Sequence, residues 1–449
     1  MQIVNLSLSL KKRIMSKKTK EKLAILGGHP VRVKKFPAYI TMGKEEEQAA
    51  LRVIRSGVLS KYLGAWHAHF YGGPEVRAFE KEWARYFNVK HAIAVNSCTS
   101  GLQAAIGATG IGPGDEVIVS PCTMSASATA LLIYGGIPIF ADIEEDYFCL
   151  DPKEVEKKIT SKTKAIIIVD IFGQPYDGKA INALAKKHRL AVIEDTAQAP
   201  GALYGKKYTG TLGDIGVFSL NYHKHIHTGE GGLVTTNNDA LAERVRLIRN
   251  HAESVVGPKG EEDLVNMVGF NFRMTELQAA IGRAQLKKLR SLVDTRVKNC
   301  AYIAHALSRL PGITPAPTRP CATHVYYVQP FHFDERIVGV SRDRFLAAVR
   351  AELSETMLRE GEGPKIGGGY VKPLYLLPLF QKKIAVGRHG FPFSENSSIH
   401  YSKGICPVAE RLFEKELFLH ELMHSGMHRN DLDDVIDAFL KVYRNRDLL

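Results

Sequence analysis

Lys224 stands in the stretch FSLNYHKHIHTGEGGLVTTN (218–237), where a strand-like run ends at Leu220 and GEGG (229–232) turns the chain into another. An amine in such a loop can form an imine with a carbonyl, or it can be an ordinary solvated lysine. The glycines permit positive φ and close backbone approach. His223, His225 and His227 raise a metal reading, but no carboxylate or cysteine ligand pattern accompanies them, and no metal is expected. A second segment, VIEDTAQAPGA (192–202), ends an apolar strand on Asp195. A carboxylate there can hold a cationic ring nitrogen or cap the following helix. A third, NSCTSGLQAA (96–105), runs from small polar residues into a helix start. The unpaired N–H groups and dipole there suit an anion, and a plain cap by Ser97 or Thr99 is the alternative.

Each piece alone has a bland explanation; together they are the parts needed to hold pyridoxal phosphate. The helix start takes the phosphate, the lysine forms a Schiff base, and the acid keeps the pyridine nitrogen protonated. The elements that must position them read as a doubly wound sheet. Residues 91–96, 116–120, 137–141, 164–170, 190–194 and 216–220 are short apolar runs rich in β-branched residues, with helical windows between several of them. That alternation predicts βαβ units and a mostly parallel sheet, with ligands beyond the carboxyl ends of the strands. From Thr275 a long amphipathic helix is predicted to bridge two domains. Residues 324–333 then read as a strand, 342–353 as a helix, 361–370 as a Gly-rich loop, and NDLDDVIDAFLKVYRN as a last helix. Phosphate-loop, G-x-G-x-x-G, G-x-S-x-G and H-E-x-x-H signatures are absent.

EDTAQAPGALYGKKYTGTLGDIGVFSL, KHIHTGEGG and NFRMTELQAAIGRAQL, in this order, resemble the signature blocks of the DegT/StrS family of sugar aminotransferases. The likeness runs from about Glu45 to the C-terminus. It implies the aspartate-aminotransferase fold (type I), with a large domain on a mostly parallel seven-stranded sheet and a smaller C-terminal α+β domain. It implies Lys224 as the Schiff-base lysine, Asp195 at the pyridine nitrogen and Gln198 beside the ring hydroxyl. Ser219 would bond the phosphate, as would Cys98 and Thr99, and Met124 would cover the pyridine face. Asn271 would reach the phosphate of a neighbouring subunit, hence a homodimer. Cys98 stands where the family usually has glycine, and Met124 where it usually has an aromatic residue. The implied reaction moves an amino group from glutamate or glutamine to a ketone on a nucleotide-linked sugar or cyclitol. KLAILGGHPVR (22–32) and Tyr375 are similar to branches acting on cyclitol ketones and related ring precursors. One branch has histidine in place of the lysine and deoxygenates, but counting back from GEGG places Lys224 at the key position. A pyridoxal-phosphate keto-sugar dehydratase and a non-catalytic regulatory relative remain the alternatives. His324, Tyr326, Arg273 and Tyr375 are candidates for the acceptor pocket, with packing or surface pairing the alternative for each.

The charge of +13 suggests nucleic acid at first, but its placement argues otherwise. Residues 1–36 hold ten Lys or Arg and one acid, a +9 share that leaves +4 for the remaining 413 residues. The expected organisation is a basic, flexible extension over 1–36, a cofactor domain over 37–290 and a small domain over 291–449. Six scattered cysteines without a C-x-x-C pair point to a reducing compartment, the cytoplasm by default. The opening MQIVNLSLSLKKR is a poor signal peptide, Met15 is an alternative start, and no membrane span is expected.

Overall fold

A computed structural model describes residues 21–396 and 398–449. The seven-stranded sheet has the order β1-β9-β8-β5-β4-β2-β3. Its strands are β1 (His91–Val95), β2 (Glu116–Val119), β3 (Ile137–Phe140), β4 (Thr163–Val169), β5 (Ala191–Asp195), β8 (Ile215–Ser219) and β9 (Gly232–Thr236), with the hairpin β6 (Leu203–Tyr204) and β7 (Lys207–Tyr208) between. All six strand-like runs of the sequence are present. β8, β5, β4, β2 and β3 pair in parallel, and β9 alone runs against its neighbours β1 and β8. The carboxyl ends of β1, β4, β5 and β8 therefore share one edge with the start of β9.

Both faces of this sheet are covered, which is why β4 can read as the continuous run TKAIIIV. The period of two sorts neighbours between two cores. Val217 and Val234 face one core, while Phe218 and Leu233 face another built on Phe79, Trp83 and Phe87 of the helix Pro74–Phe87. The long helix, α1 (Glu276–Leu307), starts at a capping box in which Thr275 and Gln278 satisfy each other's backbone N–H groups. Its Ala279, Leu286 and Val293 belong to the Trp83 core, and its Cys300, Ile303 and Leu307 to a separate C-terminal core. That second core lies on the sheet β10-β11-β13-β12, with β10 Ile313–Pro315, β11 Gln329–Phe333, β12 Ile366–Gly368 and β13 Leu417–His420. Helices α2 (Arg342–Ala351) and α3 (Arg429–Arg444) complete it. Among the described residues no helix is long and apolar enough to cross a membrane.

Three expectations change. The 324–333 strand begins only at Gln329, and β12 lies inside the expected Gly-rich loop. Of the expected flexible extension, residues 1–20 lie outside the described residues, whereas 21–36 are docked on the C-terminal core. Leu23 and Phe36 are fully buried there, worth about 2–3 kcal/mol each. Glu352 accepts the N–H of Ala24 (2.8 Å) and Val31 (3.1 Å), and Arg32 pairs with Asp431 and Asp434 on α3. Lys441 on α3 reaches both Glu352 (2.7 Å) and the His29 carbonyl (2.6 Å). Basic composition suggested a solvated tail, but two apolar anchors and these pairs decide its second half.

Candidate active site

The helix that follows β1, Cys98–Ala108, is capped by Ser97, whose Oγ accepts the Ser100 N–H at 3.0 Å. The N–H groups of Cys98 and Thr99 at its first turn have no partner among the described residues. Across from them Ser219 ends β8 and pairs in register with Gly232, the first residue of β9. A Cβ on Gly232 would lie 2.8 Å from the Ser97 carbonyl carbon and 2.9 Å from the Cys98 nitrogen. The last glycine of GEGG thus lets β9 start against the helix N-terminus, with the Ser219 side chain one strand away. Ser219 Oγ itself accepts the Asn221 N–H at 3.2 Å.

Asp195 ends β5 and is buried. Ser127 Oγ donates to its Oδ2 at 2.7 Å and the Ala197 N–H to its Oδ1 at 3.1 Å. Burial pushes its carboxyl above the usual range, against the pull of Ser127, Ala197 and the Lys224 ammonium. The Cys98 thiol is pushed well up by burial and by Asp195, with Lys224 pulling down. Gln198, three residues beyond Asp195, is buried, its Oε1 accepting the Phe172 N–H at 2.8 Å.

Lys224 follows a turn closed by its own N–H on the Asn221 carbonyl (2.9 Å), and its Nζ sits 4.2 Å from the centre of the Tyr327 ring. Tyr327 is held in place by its N–H on the Phe172 carbonyl (2.7 Å). Gly173, at φ +103°, makes that approach feasible, since a Cβ there would lie 2.7 Å from the Tyr326 nitrogen. His225 is buried with Nε2 2.9 Å from the Val325 carbonyl, and burial holds its pKa well below the ordinary value. His223 stacks on Tyr222, and among the described residues no group of three His, Cys, Asp or Glu is arranged for a metal.

Asn271 is exposed and lies beside the helix start, its carbonyl accepting from Asn96 (3.2 Å) and its Oδ1 from Arg273 (2.7 Å). Met124 is 61% exposed, three residues before Ser127. The acceptor-pocket candidates fare differently. Tyr375 is fully buried with its hydroxyl on Glu410, and its ring packs on Phe140. His324 is buried and stacks on Tyr326 at 3.9 Å. A cavity of about 290 Å³ opens at the loop that carries Lys224, walled by its neighbour His223 and by Tyr327, with Tyr39, Leu358, Arg359 and Glu421 around it. Ser127 and Tyr327 were missed in the sequence: the first lies in a stretch read only as a helical window, the second in a presumed strand.

These residues fit pyridoxal phosphate. Free helix-start amides beside a serine form a cradle that any side chain at Gly232 would fill. A ring cation facing Asp195 would offset the desolvation that now raises its carboxyl, and a lysine amine stands on the same edge.

Comparison with known proteins agrees. The description of the DegT/DnrJ/EryC1/StrS aminotransferase family matches residues 65–440. The spore coat polysaccharide biosynthesis protein SpsC of Bacillus subtilis (strain 168) is 33% identical over 413 residues, 90% of this chain and 96% of its own. An L-glutamine:2-deoxy-scyllo-inosose aminotransferase of Streptoalloteichus tenebrarius is 31% identical, covering 94% and 98%. Among solved structures, S. venezuelae DesV in complex with a ketimine intermediate superposes with a TM-score of 0.71 at 31% identity, covering 89% of this chain and 94% of DesV.

Proposed function

The chain belongs to the DegT/DnrJ/EryC1/StrS aminotransferase family and is a pyridoxal-phosphate-dependent aminotransferase, and on that premise we propose that Lys224 anchors the cofactor and moves the proton during amino transfer. Asp195 would hold the ring nitrogen, Gln198 would meet the ring hydroxyl, and Met124 would cover the ring. Ser219 and the amides and side chains of Cys98 and Thr99 would hold the phosphate. When bound, the cofactor supplies an electron sink for the donor's α-carbon. Asp195 keeps that sink charged because Ser127 and the Ala197 N–H hold its carboxylate in place. The Lys224 amine would take the proton from the donor's α-carbon and return it to the cofactor's imine carbon, on the far side of the nitrogen. Tyr327, against its Nζ, limits where the amine can swing.

The donor is glutamate or glutamine, and the acceptor is a ketone on a cyclitol or nucleotide-linked sugar that enters through the cavity at the Lys224 loop. The observation that carries this reading is the convergence of Lys224, Asp195 and the free helix start on one sheet edge. The working unit is a homodimer in which Asn271 of one subunit reaches the other's phosphate site; its exposure beside the helix start supports this. Residues 37–290 form the cofactor domain and 291–449 the small domain, to which 21–36 also attach. Six unpaired cysteines fit a cytoplasmic enzyme.

The test is visible absorption of the purified protein before and after glutamate or glutamine. A yellow band that fades with donor supports the reading. A band that no donor discharges, with ketosugar still consumed, would favour the dehydratase. No band after incubation with pyridoxal phosphate would favour a non-catalytic relative.

A further inference from the structure

Gln198 is pinned at both ends of its amide. The Phe172 N–H meets one end at 2.8 Å, and a backbone N–H can only meet the carbonyl oxygen, so the orientation of the amide follows. The nitrogen end then donates to the Tyr370 hydroxyl at 3.0 Å. Tyr370 does not come from the seven-stranded sheet. It lies two residues beyond β12, at the end of the Gly-rich stretch of the C-terminal half.

Its ring stands edge-on to Phe172, 5.1 Å between centres and 88° apart, so one residue supports both partners of the amide. Burial keeps its hydroxyl protonated, with Tyr327, Cys122 and Asp195 acting in the same sense and the Gln198 bond opposing. Among the described residues the hydroxyl accepts from Gln198 and donates to none.

An amide nitrogen carries two in-plane hydrogens about 120° apart. With Oε1 taken by Phe172 and one hydrogen by Tyr370, the amide plane is fixed and one N–H direction is left. Without the Tyr370 hydroxyl the amide can hinge about the single Phe172 bond.

Resting on the reading of Gln198 as the residue at the ring hydroxyl, we propose that Tyr370 is a positioning residue that aims the second Gln198 N–H at the cofactor's ring oxygen and ties the C-terminal sheet to the cofactor. A donor on that oxygen draws its electron pair away from the neighbouring imine nitrogen. Loss of the donor therefore raises the pH at which the imine, and with it the visible band, titrates.

The experiment compares wild type, Tyr370→Phe, Gln198→Ala and the double variant as holoproteins. It follows the visible band from pH 5 to 10, with pyridoxal phosphate affinity and thermal unfolding measured in parallel. Tyr370→Phe is expected to move the titration upward by about half a pH unit or more, in the direction of Gln198→Ala, and to weaken cofactor binding several-fold. The double variant is expected to titrate with Gln198→Ala, because the two residues act as one device. An unshifted Tyr370→Phe band, or shifts that add in full, would overturn the proposal. A Tyr370→Phe protein that merely unfolds earlier, with the band of wild type, also overturns it. A wild-type protein with no band would instead overturn the cofactor role of Lys224 and this proposal together.

Discussion

The edge of the seven-stranded sheet and the interior of the C-terminal half treat buried polar groups in opposite ways. At the edge, carboxylates are met by donors. Asp195 has Ser127 and Ala197, Asp142 has the N–H groups of Ile143, Val408 and Ala409, and Glu194 has those of Leu212 and Gly213. In the C-terminal half the buried imidazoles are left short: His324 and His424 have an unpartnered Nε2, and His420 on β13 has neither nitrogen satisfied. Burial lowers all three to about 3. The first region surrounds its buried carboxylates with N–H and O–H donors, while the second, beside its buried Lys441–Glu352 pair, holds imidazoles that burial keeps neutral. Chemistry that needs a fixed carboxylate belongs to the former, and sensitivity to acid belongs to the latter.

The harshest way to probe the charged edge is Lys224→Ala, expected to lower amino transfer by on the order of a thousandfold or more and to remove the donor-sensitive band, read by single-turnover assay. Asp195→Asn should cost about a hundredfold in kcat while the thermal unfolding midpoint stays near wild type; normal turnover would make Asp195 only a cap. Ser127→Ala, which removes a charge-assisted bond, should lose about 1.5–3 kcal/mol in cofactor affinity or turnover together, measured by titration with pyridoxal phosphate.

The histidines sharpen the other side of the comparison. Their folded values near 3 lie below the unfolded value of about 6.5. The stability they contribute is therefore complete above about pH 6.5 and is lost as pH falls toward 3, up to about 1.4 kcal/mol per pH unit for each ring. His420→Phe should flatten the fall of the unfolding midpoint between pH 6 and 4; an unchanged slope would clear His420 of the effect. The mildest change is Asp170→Asn. Asp170 and Glu194 are both fully buried near each other, their carboxyls both raised, burial first. Asp170→Asn keeps the shape and removes one of two buried acids that burial pushes up, so it should shift stability at pH 7 by less than about 1 kcal/mol in chemical denaturation.

The strands, the long helix and the Lys224 and Asp195 segments were legible because each is local. Periodicity marks a strand within five residues, and GEGG follows Lys224 within eight. The site's supports were not, because they are contacts between distant segments. Ser127 meets Asp195 across 68 residues and Tyr370 meets Gln198 across 172, and no spacing in the chain announces either. For Tyr375 the packing alternative is the one seen, and a tyrosine in an apolar run gives no sign that Glu410 lies behind it. The docking of 21–36 was hidden by composition, since Leu23 and Phe36 are two anchors among many bases.

That docking joins segments about 400 residues apart, and it sets an order on biosynthesis. Ala24, Val31 and Arg32 leave the ribosome about 400 residues before Asp431, Asp434 and Lys441, which complete their seat. At ordinary elongation rates the interval is roughly 20–80 s. During it the seven-stranded half has all its strands and can assemble, while Leu23 and Phe36 wait without their core. A nascent chain stalled before Arg429 would present a finished cofactor edge on a molecule whose two distant segments have not yet met.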